Sequence, residues 1–314
     1  MREQKGNPMG VKTPDFEYAR AFDRNLGWLT PEEQERLRTS CVAIAGLGGA
    51  GGFQAQALVR LGVSAFKLAD PDTFEMTNFN RQIGASCETL GRPKVEVIRE
   101  MILAINPEAR VEVFPSGIDE SNIAAFLQGA NLVIDGIDFF ALPVKQLLFA
   151  RSRALGLTTI TSCPLGFGAS LMTFTPSGMS FEDYFDLAPD MREEDKRFAL
   201  AFGLSPAPLC LSYKNEKASE LGTGRAASVA PGLMLVGALT AAEAVKCLTG
   251  KGAVQAAPHV FQVDLLTRRT ARKSYAGGMK HPFMRLKKWI VVTFLLPRKK
   301  KSKTEDKTSC CAAR

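Results

Sequence analysis

The stretch Cys41-Val42-Ala43-Ile44-Ala45-Gly46-Leu47-Gly48-Gly49-Ala50-Gly51 decides the fold. Its first five residues form a short apolar run that ends at once in glycines, the pattern of a buried parallel strand. Gln54 to Leu61 then reads as a helix and Ala65-Phe66-Lys67-Leu68-Ala69 as a second strand. Further on come a helix from about Pro93 to Ile105, a strand at Val111-Glu112-Val113-Phe114, a helix around Asn122 to Leu127 and a strand at Leu132-Val133-Ile134. A helix from Pro143 to Leu155 leads to the strand Thr158-Thr159-Ile160-Thr161. Upstream, Thr30-Pro31-Glu32-Glu33 supplies an N-cap, a first-position proline and two first-turn acids, and so starts a short helix. Strands alternating with helices at this spacing predict an α/β fold, a Rossmann-like, doubly wound and mostly parallel sheet. Between Gly178 and Thr223 the periodicity weakens and Pro206 and Pro208 intervene, a long C-terminal excursion before a helix from Gly232 to Leu248. Excursions of that length inside a domain are usually functional.

The 314 residues suffice for one large domain or two modest ones, and 46% hydrophobic with 23% charged residues is an ordinary globular balance. Wholesale disorder is excluded. Three segments are expected: a flexible arm over 1–20, a nucleotide-binding domain over 21–255 and a basic tail over 256–314. Cys41, Cys87, Cys163, Cys210, Cys247, Cys310 and Cys311 make an odd number without a CxxC pair, which argues against a disulfide framework and a four-cysteine zinc site. Only His259 and His281 are present, which argues against a His-centred triad. The start MREQKGNPMG has no apolar signal-peptide core, so a cytoplasmic location is expected. The net charge of +8 is unevenly placed: from Thr267 onward 15 Lys and Arg face 2 acids (+13), which leaves 25 basic and 30 acidic residues (−5) on the other 266. The body is mildly acidic and the basicity belongs to the tail.

Gly46-Leu47-Gly48-Gly49-Ala50-Gly51 satisfies GxGxxG between strand and helix, and Asp70 follows 19 residues after Gly51 at the end of the next strand. The glycines let the backbone approach a pyrophosphate at a helix N-terminus, and the acid accepts from ribose hydroxyls. A ligand-free tight turn is the bland alternative. The loop alone also fits a nicotinamide-linked oxidoreductase. The residues that follow argue for different chemistry: Asp70-Pro71-Asp72-Thr73-Phe74-Glu75-Met76-Thr77-Asn78-Phe79-Asn80-Arg81-Gln82, then Gly91-Arg92-Pro93-Lys94. Cations converging on phosphates serve attack at the α-phosphorus of ATP, where charge builds on phosphoryl oxygens; hydride transfer gains little from them. Arg81 and Lys94 as solvated surface charges, and Asp138 as a loop cap, are the structural alternatives.

In GxGGxG, DxDxxxxxNxxRQ, GxxK and Asp135-Gly136-Ile137-Asp138, over about Phe22 to Gly250, the sequence resembles the ubiquitin-activating, or E1-like, superfamily. Its sulfur-carrier activating enzymes serve thiamine and molybdopterin synthesis. The resemblance implies an ATP-dependent adenylyltransferase that turns a carboxylate, the C-terminus of a ubiquitin-like or sulfur-carrier protein, into an acyl adenylate. It implies that Gly46, Gly48, Gly49, Gly51, Asp70, Asp72, Asn78, Arg81, Gln82 and Lys94 bind ATP, with Arg81 and Lys94 neutralising phosphates. Asp138 would ligate Mg2+, and Arg24, in Phe22-Asp23-Arg24-Asn25, would reach across a homodimer interface to the γ-phosphate.

The chain departs from the family where Asn usually follows the magnesium aspartate and Arg stands five residues on: here they are Phe139 and Pro143. A catalytically silent nucleotide-binding protein would explain those two. The paired zinc CxxC motifs are reduced to Pro208-Leu209-Cys210, so packing must stabilise that region. For a thioester route Cys210 is the first candidate nucleophile and Cys163 the second, against the ordinary reading of both as small buried hydrophobes. The same motifs resemble the branch that dehydrates threonylcarbamoyladenosine in tRNA, although the acidic body offers no basic groove.

The tail holds the run Trp289 to Leu296 between Arg285-Leu286-Lys287-Lys288 and Arg298-Lys299-Lys300-Lys301. It is too short for a bilayer-spanning helix, which needs ~20 residues. A strand packed on the body within a solvated tail, an anchor at the surface of an anionic membrane, the inner one if so, and a phosphate-binding arm all fit, and Cys310-Cys311 could carry acyl chains.

Overall fold

The computed structural model describes residues 15–214 and 227–290. Parallel pairing joins β1 (Cys41–Ala45), β2 (Ala65–Ala69), β3 (Arg110–Phe114), β4 (Leu132–Asp135) and β5 (Thr159–Leu165). Antiparallel β6 (Gly168–Phe174), β7 (His259–Asp264) and β8 (Arg269–Ser274) extend the sheet to eight strands in the order β3-β2-β1-β4-β5-β6-β7-β8. The expected doubly wound α/β architecture is present. The order reverses at β1, so the loops after β1 and β4 leave in opposite directions and open a crevice at the carboxyl ends of those strands, where ligands bind in such sheets.

The helices described are α1 (Tyr18–Ala21), α2 (Pro31–Thr39), α3 (Gly49–Arg60), α4 (Lys94–Leu103), α5 (Ile123–Leu127), α6 (Leu142–Ala154), α7 (Phe181–Phe185), α8 (Glu193–Leu204), α9 (Ala230–Thr249) and α10 (Pro282–Ile290). The Thr30 hydroxyl accepts from the Glu33 amide at 3.2 Å and the Glu33 carboxylate accepts from the Thr30 amide at 2.9 Å, the capping box that the sequence announces for α2. Side-chain alternation sorts the central strands between two layers. Val42, Ile44, Leu132 and Ile134 meet Leu58, Ile98 and Ala244 of α3, α4 and α9, while Ala43, Ala45 and Val133 meet Ile123, Phe126 and Leu148 of α5 and α6. Helix α9 is long and apolar enough to cross a membrane, yet half of it is buried on α3, β5 and β6. A side chain at Gly237 would stand 2.8 Å from the Phe53 carbonyl, so glycine there permits the close α3–α9 approach.

The excursion has its own core, in which Leu142 and Phe149 of α6, Met172 and Phe174 of β6, Phe181, Tyr184 and Phe185 of α7, and Leu200 and Leu204 of α8 pack together. Packing thus holds this region, and the described residues contain no cluster of three or more His, Cys, Asp or Glu that could hold a metal.

Three expectations are corrected. The sheet does not stop at 255, because β7 and β8 pair edge to edge with β6 and bring the start of the basic segment into the fold. The arm is already folded before residue 20, since the buried Tyr18 hydroxyl donates to the Gly62 carbonyl at 2.7 Å. Trp289 and Ile290 end helix α10 and are no part of a strand. Positions 291–296 of that run, the cluster Arg298 to Lys301, Cys310, Cys311 and residues 1–14 lie outside the described residues.

Candidate active site

The glycine loop does two jobs. Gly46 has φ +85°, and a Cβ there would lie 2.4 Å from the Gly136 carbonyl carbon. A Cβ on Gly51 would lie 1.8 Å from the Gly46 oxygen, and one on Gly136 2.4 Å from that same oxygen. These glycines let the ends of β1 and β4 and the start of α3 touch backbone to backbone. Gly49 faces Leu233 of α9, whose Cδ1 is 2.8 Å from its Cβ position. Gly48 differs: only the Gln82 amide comes near, at 3.6 Å. Gly48 caps α3 with no side-chain bond, so the first amides of this helix, which have no intrahelical partner, are left for an anion.

Asp70 ends β2 and is buried. Its Oδ2 accepts from the Leu47 amide at 2.6 Å and its Oδ1 from the Asp72 amide at 2.9 Å, which ties the glycine turn to the next loop. Burial pushes its carboxyl above the usual range, against the pull of Lys94 and the two amides. Each oxygen retains a lone pair for a ribose hydroxyl. Asp72 is exposed and takes the buried ammonium of Lys94, at the start of α4, at 2.8 Å. Asn78 is buried and its Oδ1 accepts from the Glu75 amide at 3.0 Å, closing a 3-10 turn. Arg81 folds back on that turn, donating to the Thr77 carbonyl at 2.7 Å and to the Asn80 Oδ1 at 3.0 Å. Its own carbonyl lies 3.4 Å from the Gly49 Cβ position, so the Arg81 segment borders the glycine loop. Gln82 is buried beside Gly48 with an Oε1 that has no hydrogen-bond partner among the described residues, an unpaired acceptor beside the glycine loop.

Across the crevice, Asp138 follows β4 and is exposed; its Oδ1 accepts from the Phe140 amide at 2.8 Å, and its Oδ2 makes no bond with the described residues. Behind it stands a group that the sequence reading missed. Buried Asp135 receives the Lys145 ammonium on both oxygens at 2.8 Å, the Thr161 hydroxyl on Oδ2 at 2.8 Å and the Ile137 amide on Oδ1 at 3.1 Å. These bonds fix the 136–138 turn on which Asp138 sits. Helical periodicity carries a signal for Lys145, which shares the buried stripe of α6 with Leu142, Leu148, Phe149 and Ser152.

The structure does not bring every candidate to this place. Arg24 is exposed in a turn whose neighbours Tyr18 and Gln34 bond to Gly62 and Leu61, past the C-terminal end of α3, ~18 Å along that helix from the glycine loop. Cys210 is half-buried with Leu165, Gln262 and Asp264 around it, and burial pushes its thiol pKa up. Cys163, on β5 near Lys145, Asp135 and Asp138, is pushed up to about 11, first by burial. Neither thiol has the electropositive, open setting that makes a thiolate, so the expectation of a nucleophile at Cys210 gains no support.

The family model described as the ThiF family matches residues 22–282. The sulfur carrier protein adenylyltransferase of Thermus thermophilus is 32% identical over 237 residues, 75% of this chain and 79% of that protein. A tRNA threonylcarbamoyladenosine dehydratase of Bacillus subtilis is 40% identical over 137 residues, 43% of this chain and 54% of that protein. The chain spans about half the length of several curated relatives, 51% to 58%. The crystal structure of PaaA superposes with a TM-score of 0.61 over 84% of this chain and 77% of that one, at 20% identity, and so bears on the fold alone. With the family model matched over most of its length and the motifs gathered at one switch point, the chain belongs to the ThiF family of the E1-like superfamily.

Proposed function

We propose that this chain is an ATP-dependent adenylyltransferase that activates the carboxylate of a ubiquitin-like or sulfur-carrier protein C-terminus. The observation that carries the reading is the convergence, at the β1–β4 switch point, of the open α3 N-terminus at Gly48, the Asp70–Asp72–Lys94 group, Arg81 and unpaired Gln82, with Asp138 opposite. The printed activity of the Thermus relative agrees with it.

In this reading the α3 amides receive the phosphates, Asp70 the ribose, and Arg81 exchanges its bonds to Thr77 and Asn80 for phosphate oxygens. A carboxylate oxygen of the carrier attacks the α-phosphorus; the new P–O bond forms as the bond to pyrophosphate breaks and its electron pair leaves with pyrophosphate. Lys94 and Arg81 offset the charge that grows on those oxygens. Asp138, with a free Oδ2, fits Mg2+, a cation that takes few protein carboxylates beside phosphate oxygens and supplies charge neutralisation there when bound. Arg24 lies too far from its own glycine loop to serve it, which supports a homodimer in which each copy lends Arg24 to the other. The acyl adenylate is the product; no step uses Cys210 or Cys163.

The test is ATP–pyrophosphate exchange by wild type and Asp138→Ala with candidate carrier proteins. Exchange that requires one carrier and disappears in the variant is the expected result. Tight ATP binding with no exchange for any acid substrate would leave a silent nucleotide-binding protein instead. A second reading, a threonylcarbamoyladenosine dehydratase acting on tRNA, is favoured by the 40% identity over 137 residues to the Bacillus relative; exchange driven by threonylcarbamoylated tRNA and by no carrier would select it.

A further inference from the structure

Helix α10 is amphipathic the wrong way round for a soluble domain. Met284 is buried, and Lys287 donates to the Pro206 carbonyl at 2.6 Å, so these two residues, three apart, fix which side of the helix faces the body. The side turned away from Met284 carries Phe283, Leu286 and Ile290, spaced three and four apart and 54%, 53% and 41% exposed, with Trp289 beside Leu286 at 56%. Among the described residues the one ring against Phe283 is that of Tyr275, stacked at 5.9 Å. Single exposed apolar residues are ordinary, whereas three on one helical stripe form a contiguous patch.

Cations frame this patch. Arg285 stands beyond Trp289 on one flank of the stripe, and Lys273 of β8 lies on the other flank, near enough to Lys287 to lower its pKa, second to burial, whereas Lys288 is on the far side of α10. None of Lys273, Arg285 and Lys288 is bridged by an acid of the described residues. Asp195, the acid whose carboxyl Lys288 helps to lower, is already bridged by Arg192 at 2.8 Å. The sequence after α10 continues Val291-Val292-Thr293-Phe294-Leu295-Leu296 and then Arg298-Lys299-Lys300-Lys301, the same apolar and basic chemistry.

We propose that the exposed face of α10 is a docking surface for an anionic lipid membrane, with Phe283, Leu286 and Ile290 entering the headgroup–acyl boundary and Lys273 and Arg285 meeting lipid phosphates. Cations and aliphatic side chains at one level match an interface that is anionic outside and apolar beneath. Nucleic acid would use the cations and the aromatic ring but give Leu286 and Ile290 nothing to enter, which favours lipid. Burial of Met284 and the Lys287 bond present the helix face preformed, so no folding accompanies binding. The surface is remote in sequence from every residue given to adenylation and does not depend on that reading.

The full chain is tested by co-sedimentation with phosphatidylcholine vesicles, with and without about one-third phosphatidylserine, at low and high salt. Binding is expected only with the anionic vesicles, and at high salt it should fall by about tenfold or more. Leu286→Asp with Ile290→Asp should reduce it by about tenfold at an unchanged melting midpoint, and Lys273→Glu with Arg285→Glu should reduce it similarly. Full binding by the Leu286/Ile290 variant would overturn the proposal, because the membrane contact would then lie elsewhere in the chain. Absence of vesicle binding, with or without tRNA binding, would overturn it too, and tRNA binding lost in the Lys273/Arg285 variant would reassign the cations to RNA.

Discussion

The two sides of β4 are held together by different kinds of contact. Toward β1, β2 and β3, the nucleotide side is joined by backbone: parallel ladders, and glycines so tightly opposed that a methyl on Gly51 would stand 1.8 Å from the Gly46 oxygen. Toward β6, β7 and β8 the strands are laddered too, but the helices laid on them meet through side chains, with Phe149 stacked on Phe181 at 4.3 Å and Phe185 against Phe181 and Tyr184 at 4.7 and 4.8 Å. A backbone-built site tolerates few sequences and keeps its geometry. A side-chain core can be repacked at constant volume, which lets that side vary while the glycine-built site stays fixed. The Asp135–Lys145 pair stands on the border between them.

That border gives the largest expected effect. Lys145→Met leaves a buried carboxylate with only a hydroxyl and an amide, and loss of one partner of a buried pair costs about 3–5 kcal/mol. Urea unfolding of the variant should show it, and Asp135→Asn with Lys145→Met should recover most of the loss, since no charge then stays buried alone. A loss under about 1 kcal/mol would mean that water reaches the pair and that the border is not dry.

The glycine loop supplies the next contrast, inside one motif. Gly51→Ala forces a methyl onto a backbone oxygen that cannot move away, and overpacking of that kind costs about 1–3 kcal/mol or more. Gly48→Ala meets only the Gln82 amide at 3.6 Å, and its cost as a helix cap is about 1 kcal/mol or less. ATP affinity should reverse the order relative to stability: the Gly48 methyl lies on the α3 amides and should weaken binding about tenfold, as one lost charge-assisted contact does. Calorimetric titration and thermal unfolding of the two variants check this. Equal effects of both on stability would erase the division between packing and binding glycines.

The same division explains what the sequence disclosed. Strands β1 and β4 are apolar runs followed by turns, β3 alternates in Arg110-Val111-Glu112-Val113-Phe114, and α2 has its capping box written in Thr30 and Glu33, so local rules identify them. Strand β8, Arg269-Thr270-Ala271-Arg272-Lys273-Ser274, is almost wholly exposed at a sheet edge and carries no apolar alternation, so its charge passed for tail. Strand β6 pairs with β5 in a hairpin turned at Gly166-Phe167, and with β7 far along the chain on its other edge, and only the second partnership lies outside a local window. In the site, Asp70, Asp72, Lys94 and Asp138 were legible because their spacing is a motif. Lys145 was not, because a buried lysine follows no motif and shows itself only by its place on an apolar helical stripe. The roles of Gly46 and Gly51 were legible only in part, since sequence cannot tell a glycine that admits a ligand from one that admits another strand.

The smallest effect concerns the acceptor side. Burial pushes the Cys163 thiol up to about 11 while Lys145 pulls it down and Asp135 pushes it further up. A raised thiol pKa means the neutral form is favoured, so at pH 8 only about one part in a thousand is thiolate, the form that alkylates. The iodoacetamide rate at Cys163 should therefore be slow at pH 8 and climb about tenfold per pH unit toward pH 10, still short of a plateau. Exposed Cys87 labels in the same sample and reports that reagent is present, with mass spectrometry separating the two peptides. A plateau already reached near pH 8 would show that the Lys145 ammonium outweighs burial. The acceptor side would then hold an activated thiol beside Asp138, and a thioester step after adenylation would have its nucleophile in Cys163. The expected slow rise instead keeps Cys163 a packed side chain of the border, and leaves the proposed adenylation with no thioester step after it.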